Sequence, residues 1–243
     1  MSGVDGATAV VTGAGSGIGR ALAESLSERG ARPVLADVDG AALNGVATRL
    51  DASAVVTDVS VPEEVERLAR TAGDVDVVCL NAGVVGADLG APWEVSARDW
   101  ERVFAVNVGG VVNGLRAFVP RLLASGRTAH VLITGSLAGV ATFPGGGAYG
   151  PSKHAVVAVA EHAAMALSGT PVGVSVVCPA LVSTGMSAEG VDAAHVAERA
   201  LDTIEDGTFA VVDEQWRDTV VAGARRLASG RHPAPPAPTD PTR

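Results

Sequence analysis

Residues 7–12 read Ala-Thr-Ala-Val-Val-Thr and run directly into Gly13-Ala-Gly-Ser16-Gly17-Ile18-Gly19. A helical pattern follows from Arg20 to Arg29 and stops at Gly30. A short β-branched run is a buried strand, and a helix that starts at its far end carries the chain away from any hairpin. The next strand must then return by a crossover and lie parallel to the first. The same unit recurs along the chain. Strands are expected at 33–37, 54–57, 75–80, 129–134, 172–177 and 209–212. Helices are expected at 41–50, from Pro62, at 97–123, from Tyr149 to Leu167, up to Asp206, and around Trp216. This alternation predicts an α/β fold, a doubly wound parallel sheet (Rossmann fold) of about seven strands with helices on both faces. One domain is expected over residues 1–229. Residues 230–243 carry Pro233, Pro235, Pro236, Pro238 and Pro241 and are expected to be a disordered tail.

Ligands of such a sheet bind outside the carboxyl ends of its strands. The first of these ends is the glycine turn. Gly13 permits a tight turn, Gly17 lets backbone N–H groups approach a pyrophosphate, and Gly19 lets the helix pack on the strand. Ser16 and Ile18 complete that cradle. Asp37 ends the second strand 18 residues beyond Gly19, where a carboxylate accepts hydrogen bonds from an adenosine ribose and repels a 2′-phosphate. Asp39 competes for that role but stands beside Gly40, where a solvated helix start is expected. Asp58, Val59, Asn81, Ala82 and Gly83 also fall at strand ends.

A second constellation lies in residues 136–153. Ser136 follows a strand, a glycine-rich loop intervenes, and Tyr149 and Lys153 stand one helical turn apart on one face. A phenol titrates near ~10, and an adjacent ammonium favours its phenolate. With a hydroxyl to hold a substrate oxygen, this set can move a proton on and off an alcohol or carbonyl. Asn107 is a polar amide inside an apolar helix, and it either serves the site or satisfies a neighbouring backbone group.

Composition narrows the setting. A net charge of −9 with no basic stripe disfavours nucleic acid and anionic membrane surfaces as partners. No apolar run reads as a membrane span, and the N-terminal residues lack the pattern of a secretory leader, so a cytoplasmic location is expected. Cys79 and Cys178 sit in Val-rich runs and read as small buried hydrophobes. No His/Cys spacing matches a metal site. The helix after Tyr149 is apolar nearly all round, which calls for burial on a second side, most simply by another copy of the chain as a homodimer or homotetramer.

Taken together, these residues resemble the short-chain dehydrogenase/reductase family, in its form of about 250 residues, over roughly residues 7–212. Thr12-Gly13-x-x-x-Gly17-x-Gly19 resembles its cofactor turn, Asp58 its adenine-contacting acid, and Asn81-Ala82-Gly83 its fourth-strand motif. The family's tetrad falls on Asn107, Ser136, Tyr149 and Lys153, and Pro179 to Thr184 resembles the segment over the nicotinamide, with Val182 inside it. Leu80 and Ala180 depart from the family pattern, which usually has asparagine and glycine there.

The resemblance implies an NAD-linked alcohol dehydrogenase. Tyr149 acts as the base, Lys153 lowers its pKa and bonds the nicotinamide ribose, Ser136 orients the substrate, and Asn107 holds a relay water. The rivals are an NADP-linked ketoreductase, disfavoured by Asp37 and Ser16, and a non-catalytic redox sensor, disfavoured by the intact Tyr149 and Lys153. The pocket is expected to be ringed by Val84, Val85, Trp93, Leu137, Ala138, Phe143, Val182 and Met186. No basic residue lies between Lys153 and Arg199, so the expected substrate is a neutral, fairly hydrophobic secondary alcohol or its ketone.

Overall fold

A computed structural model of the chain describes residues 3–183 and 190–236. The helices are α1 (Gly17–Glu28), α2 (Gly40–Leu50), α3 (Pro62–Ala72), α4 (Ala97–Phe104), α5 (Gly110–Ser125), α6 (Tyr149–Ala166), α7 (Ala193–Asp206) and α8 (Glu214–Ala228). The strands are β1 (Thr8–Thr12), β2 (Arg32–Asp37), β3 (Ser53–Val56), β4 (Val77–Leu80), β5 (Ala129–Thr134), β6 (Val172–Cys178), β7 (Val182–Ser183), β8 (Val191–Asp192) and β9 (Ala210–Val212).

Seven strands form one sheet in the order β3-β2-β1-β4-β5-β6-β9, and every neighbouring pair is parallel. The order reverses between β1 and β4. A crevice must open there, because the helices that follow these two strands leave to opposite faces. Alternate side chains divide the core accordingly. Val11, Cys79 and Leu132 pack under Leu22 and Leu26 of α1 and Leu201 and Ile204 of α7. Val10, Val78 and Ile133 pack under Leu68 of α3, Phe118 and Leu122 of α5, and Val156 of α6.

Two sequence expectations change in detail. The helix expected over 97–123 is interrupted by a π-helical turn, Ala105–Gly109, which joins α4 to α5. A short parallel pair, β7–β8, joins Val182 to Val191 and Ser183 to Asp192, outside the seven expected strands. The stretch Ala97–Ser125 is also long and apolar enough by composition to cross a bilayer, contrary to the sequence reading. It forms a layer of this fold, with α5 covering β4, where Leu80 fits against Gly114 so closely that a Cβ on that glycine would collide. Leu80 thus fills with an apolar side chain the place where the family usually has asparagine.

Candidate active site

One side chain ties the ends of three strands together. Asn81 Nδ2 donates to the Thr12 carbonyl at 2.9 Å, and its Oδ1 accepts from the Thr134 hydroxyl at 3.0 Å. The Thr12 hydroxyl in turn accepts from the backbone N–H groups of Asn81, at 2.9 Å, and Ala82, at 3.2 Å. This knot joins β1, β4 and β5 and forms the floor of a cleft of about 880 Å³.

At one end the cleft is walled by Gly13, Ser16, Gly17, Ile18 and Gly19. A Cβ on Gly19 would run into the Gly13 carbonyl oxygen and lie 2.6 Å from Asn81 Nδ2, so only glycine lets α1 approach the strand this closely. No side chain caps α1, and its first N–H groups are left for a ligand. Asp37 also lines this end. Its Oδ2 accepts from Gly15 N at 2.8 Å and its Oδ1 from Asp39 N at 2.9 Å, so the carboxylate braces the glycine turn. Asp39 caps α2 by accepting from Ala41 N and Ala42 N, the helix-start role expected of it. Asp58 holds the Ser60 N–H and hydroxyl at 2.9 and 2.7 Å, and it lines the cleft with Val59.

At the other end stand Ser136, Tyr149 and Lys153. Ser136 sits just past β5 in extended backbone, and its Oγ accepts from Ala138 N at 3.1 Å. Tyr149 opens α6, and Lys153 follows one turn on, 4 % exposed, with Nζ donating to the Thr134 carbonyl at 2.9 Å. Nζ lies 5.8 Å from the centroid of the Tyr149 ring. Behind them, Asn107 occupies the π-helical turn, 1 % exposed. Its Oδ1 accepts from Val84 N at 2.8 Å, and its Nδ2 donates to Val84 O and Ser152 Oγ, each at 2.9 Å. The Ser152 hydroxyl passes the chain on to the Tyr149 carbonyl at 2.7 Å. The side chain of Asn107 is therefore given to positioning the Val84 backbone and α6.

The electrostatics run against the sequence expectation for the phenol. Burial raises the Tyr149 pKa above its ordinary value, opposed by the hydrogen-bonding Ser136 hydroxyl. Burial likewise lowers the Lys153 ammonium to about 8. An adjacent amine favours the phenolate, but here desolvation of both groups outweighs it. The same burial pushes the Cys178 thiol, beside Ser136 and Lys153, up to about 11.

A profile described as short chain dehydrogenase matches residues 7–194. The chain belongs to the short-chain dehydrogenase family. The 1-deoxy-11-beta-hydroxypentalenate dehydrogenase of Streptomyces avermitilis is 47% identical over 190 residues, covering 74% of this chain and 70% of that protein. Its counterpart from Streptomyces exfoliatus is 50% identical over 188 residues, covering 73% and 68%. Among solved structures, a short chain dehydrogenase/reductase from Burkholderia phymatum in complex with NAD superposes with a TM-score of 0.92. It is 35% identical, and the match covers 98% of this chain and 100% of that one.

The residues of this short-chain dehydrogenase suit the nicotinamide dinucleotide its family binds. The uncapped α1 terminus and the glycine turn suit a pyrophosphate, and Asp37 and Asp58 offer acceptors for the adenosine half. Gly83 passes so close to Asn107 and Lys153 that a Cβ would meet Oδ1 at 3.2 Å and Nζ at 3.5 Å, leaving the floor flat beside the amine. Asn81, Ala82, Pro179 and Val182 line the cleft as expected of them. Thr184 and Met186 lie outside the described residues.

The apolar wall includes Val84, Val85, Leu137, Ala138 and Phe143. Trp93 does not belong to it: 84 % exposed, it stands in the surface turn before α4. Ser152, Arg102 and Trp216 support or line the cleft without having been expected there. Ser152, three residues after Tyr149, was accessible from helical spacing. Arg102, on α4, brings a cation into the cleft from outside the stretch between Lys153 and Arg199. Trp216, on α8, carries no sequence signal that would place it there.

Proposed function

We propose that this short-chain dehydrogenase oxidises a largely apolar secondary alcohol with NAD. The observation that carries this reading is that one cleft joins the Ser136–Tyr149–Lys153 cluster to a glycine turn braced by the Asp37 carboxylate. A carboxylate at the end of β2 disfavours a 2′-phosphate by charge and accepts ribose hydroxyls. The Streptomyces relatives named as hydroxypentalenate dehydrogenases and the NAD complex from Burkholderia phymatum support the direction and the cofactor.

The nicotinamide, when bound, supplies the acceptor for the hydride of the carbinol carbon. Tyr149 Oη takes the hydroxyl proton, which needs its deprotonated form. Ser136 Oγ holds the substrate oxygen and opposes charge build-up there. Lys153 Nζ, fixed by the Thr134 carbonyl, lies near enough to stabilise the phenolate once it forms. Asn107 and Ser152 set the position of α6 against the Val84 backbone. The apolar wall excludes water from the reacting oxygen.

The test is a panel of secondary alcohols offered with NAD or NADP, followed by the appearance of reduced nicotinamide. Turnover with NAD well above NADP is expected. Activity confined to NADP, or to phosphorylated substrates, would refute the reading.

We also propose a homodimer or homotetramer. The α6 helix buries Ser152, Lys153, Val156 and Ala160 on one side only and leaves Met165 69 % exposed on the other. Light scattering that gives a monomer would overturn this.

A further inference from the structure

Trp216 lies beyond the residues matched by the family profile, yet it shares the cleft with Tyr149. Its indole meets the Phe143 ring edge-on, with centroids 5.8 Å apart and an interplanar angle of 73°. Phe143 comes from the loop between β5 and α6, so the pair closes two distant segments over one end of the cleft. The start of α8 is anchored to that end. The Asp213 carboxylate accepts from Ala180 N at 3.4 Å and from Arg199 Nη1 at 2.5 Å, and Trp216 N donates to the Asp213 carbonyl at 2.9 Å. Leu181, next to Ala180, lines the same end. Both rings are only partly buried within the chain and keep apolar faces open to the cleft.

We infer that Phe143 and Trp216 form an aromatic clasp that sets the substrate class to rigid alicyclic alcohols in preference to short acyclic ones. This rests on the function proposed above and extends it to the shape of the alcohol. Aromatic rings offer broad, stiff surfaces and lose little freedom when a ligand packs on them. A fused-ring alcohol brings a matching rigid face, whereas a flexible chain loses rotor freedom on binding and covers less of the two rings. Asp213, at the N-terminal cap of α8, is paired with Arg199.

Full-length enzyme, Phe143→Ala, Trp216→Ala and Trp216→Phe would be compared in steady state with NAD, using a decalol and 2-butanol. The ratio of kcat/KM for decalol over 2-butanol should fall about tenfold or more in each alanine variant, mainly through KM for decalol. Trp216→Phe should retain most of the ratio. A ratio unchanged in both alanine variants, or an equal loss for the two alcohols with a lowered Tm, overturns the clasp and makes α8 a packing element only. Decalone titration gives a reading independent of turnover: it should quench indole fluorescence in the wild-type enzyme, and Trp216→Phe should abolish the quench. If no alcohol reacts but the quench is seen, the dehydrogenase reading fails while the clasp stands. If the wild-type enzyme shows no quench, the clasp fails.

Discussion

Lys153 Nζ lies 5.8 Å from the centroid of the Tyr149 ring and donates to the Thr134 carbonyl, so amine and phenol are neighbours that share no hydrogen bond. Both are desolvated, the amine lowered to about 8 and the phenol raised above its ordinary value. Oxidation needs the deprotonated phenol. The rate constant kcat/KM for an alcohol should therefore rise with pH through about 8 and keep rising into the alkaline range, while ketone reduction, which uses the protonated phenol, holds level until the phenol itself ionises. An alcohol-oxidation profile flat on both sides of 8 would contradict this placement.

Tyr149→Phe removes the proton acceptor and keeps the ring that packs beside Lys153. Turnover should fall by roughly 10²–10⁴-fold, while the dissociation constant of NAD, read by fluorescence titration, changes little. A variant that keeps most of its turnover would move the proton transfer to another group.

Asp37 has two separable roles, since its carboxylate both braces Gly15 N and presents charge to the cleft. Asp37→Asn keeps an acceptor for the brace and removes the charge. The NAD-over-NADP ratio of kcat/KM should fall about tenfold or more, a shift of about 1.4 kcal/mol. Asp37→Ala should in addition raise KM for NAD, because the glycine turn loses its brace. Equal ratios for the wild-type enzyme and the asparagine variant would remove Asp37 from cofactor choice.

Ser152 is fully buried and joins Asn107 Nδ2 to the Tyr149 carbonyl. Ser152→Ala removes the acceptor of one buried Asn107 Nδ2 hydrogen and should destabilise the fold by about 1–2 kcal/mol. Asn107→Ala should cost more, because it strands both the N–H and the carbonyl of Val84. Thermal melts rank the two variants, and the reverse order would count against the linkage.

His130 is 6 % exposed, its Nε2 is 2.9 Å from Ser175 Oγ, and burial lowers its pKa to about 4. An unfolded histidine titrates near ~6.5, so below that pH the unfolded chain binds a proton the native ring refuses. The neutral ring's contribution is intact above ~6.5 and is lost as pH falls toward 4. Denaturant melts at pH 7 and pH 5 should show His130→Asn losing about 1–2 kcal/mol less than the wild-type protein. Identical losses would mean the ring is not held neutral.

The parts of this molecule that were readable in the sequence are those written in local spacing. The turn from Gly13 to Gly19 and the pair Tyr149 and Lys153 each occupy less than two helical turns, where chain geometry leaves few alternatives. Position across the tertiary structure was not readable. Trp93 and Trp216 are equally apolar in sequence, yet one stands in solvent and the other lines the cleft, because the contact of Trp216 with Phe143 is a long-range outcome. The π-helical turn at Asn107 escaped notice for a similar reason: what holds it is Val84 and Ser152, far away along the chain. The pKa of Tyr149 was misjudged because a nearby amine is visible in sequence and the burial of both groups is not.

The Asn81 cross-tie has a bearing on how a dinucleotide enters and leaves. With Thr12, Asn81 and Thr134 laced together, the three central strand tips cannot spread apart without breaking several buried bonds at once. Breathing of the binding trough is thereby assigned to its opposite bank, where Ala180 hangs from the Asp213 carboxylate and Trp216 from the carbonyl of the same residue. Exchange of spent for fresh coenzyme should keep time with that bank, while the bedrock beneath stays still.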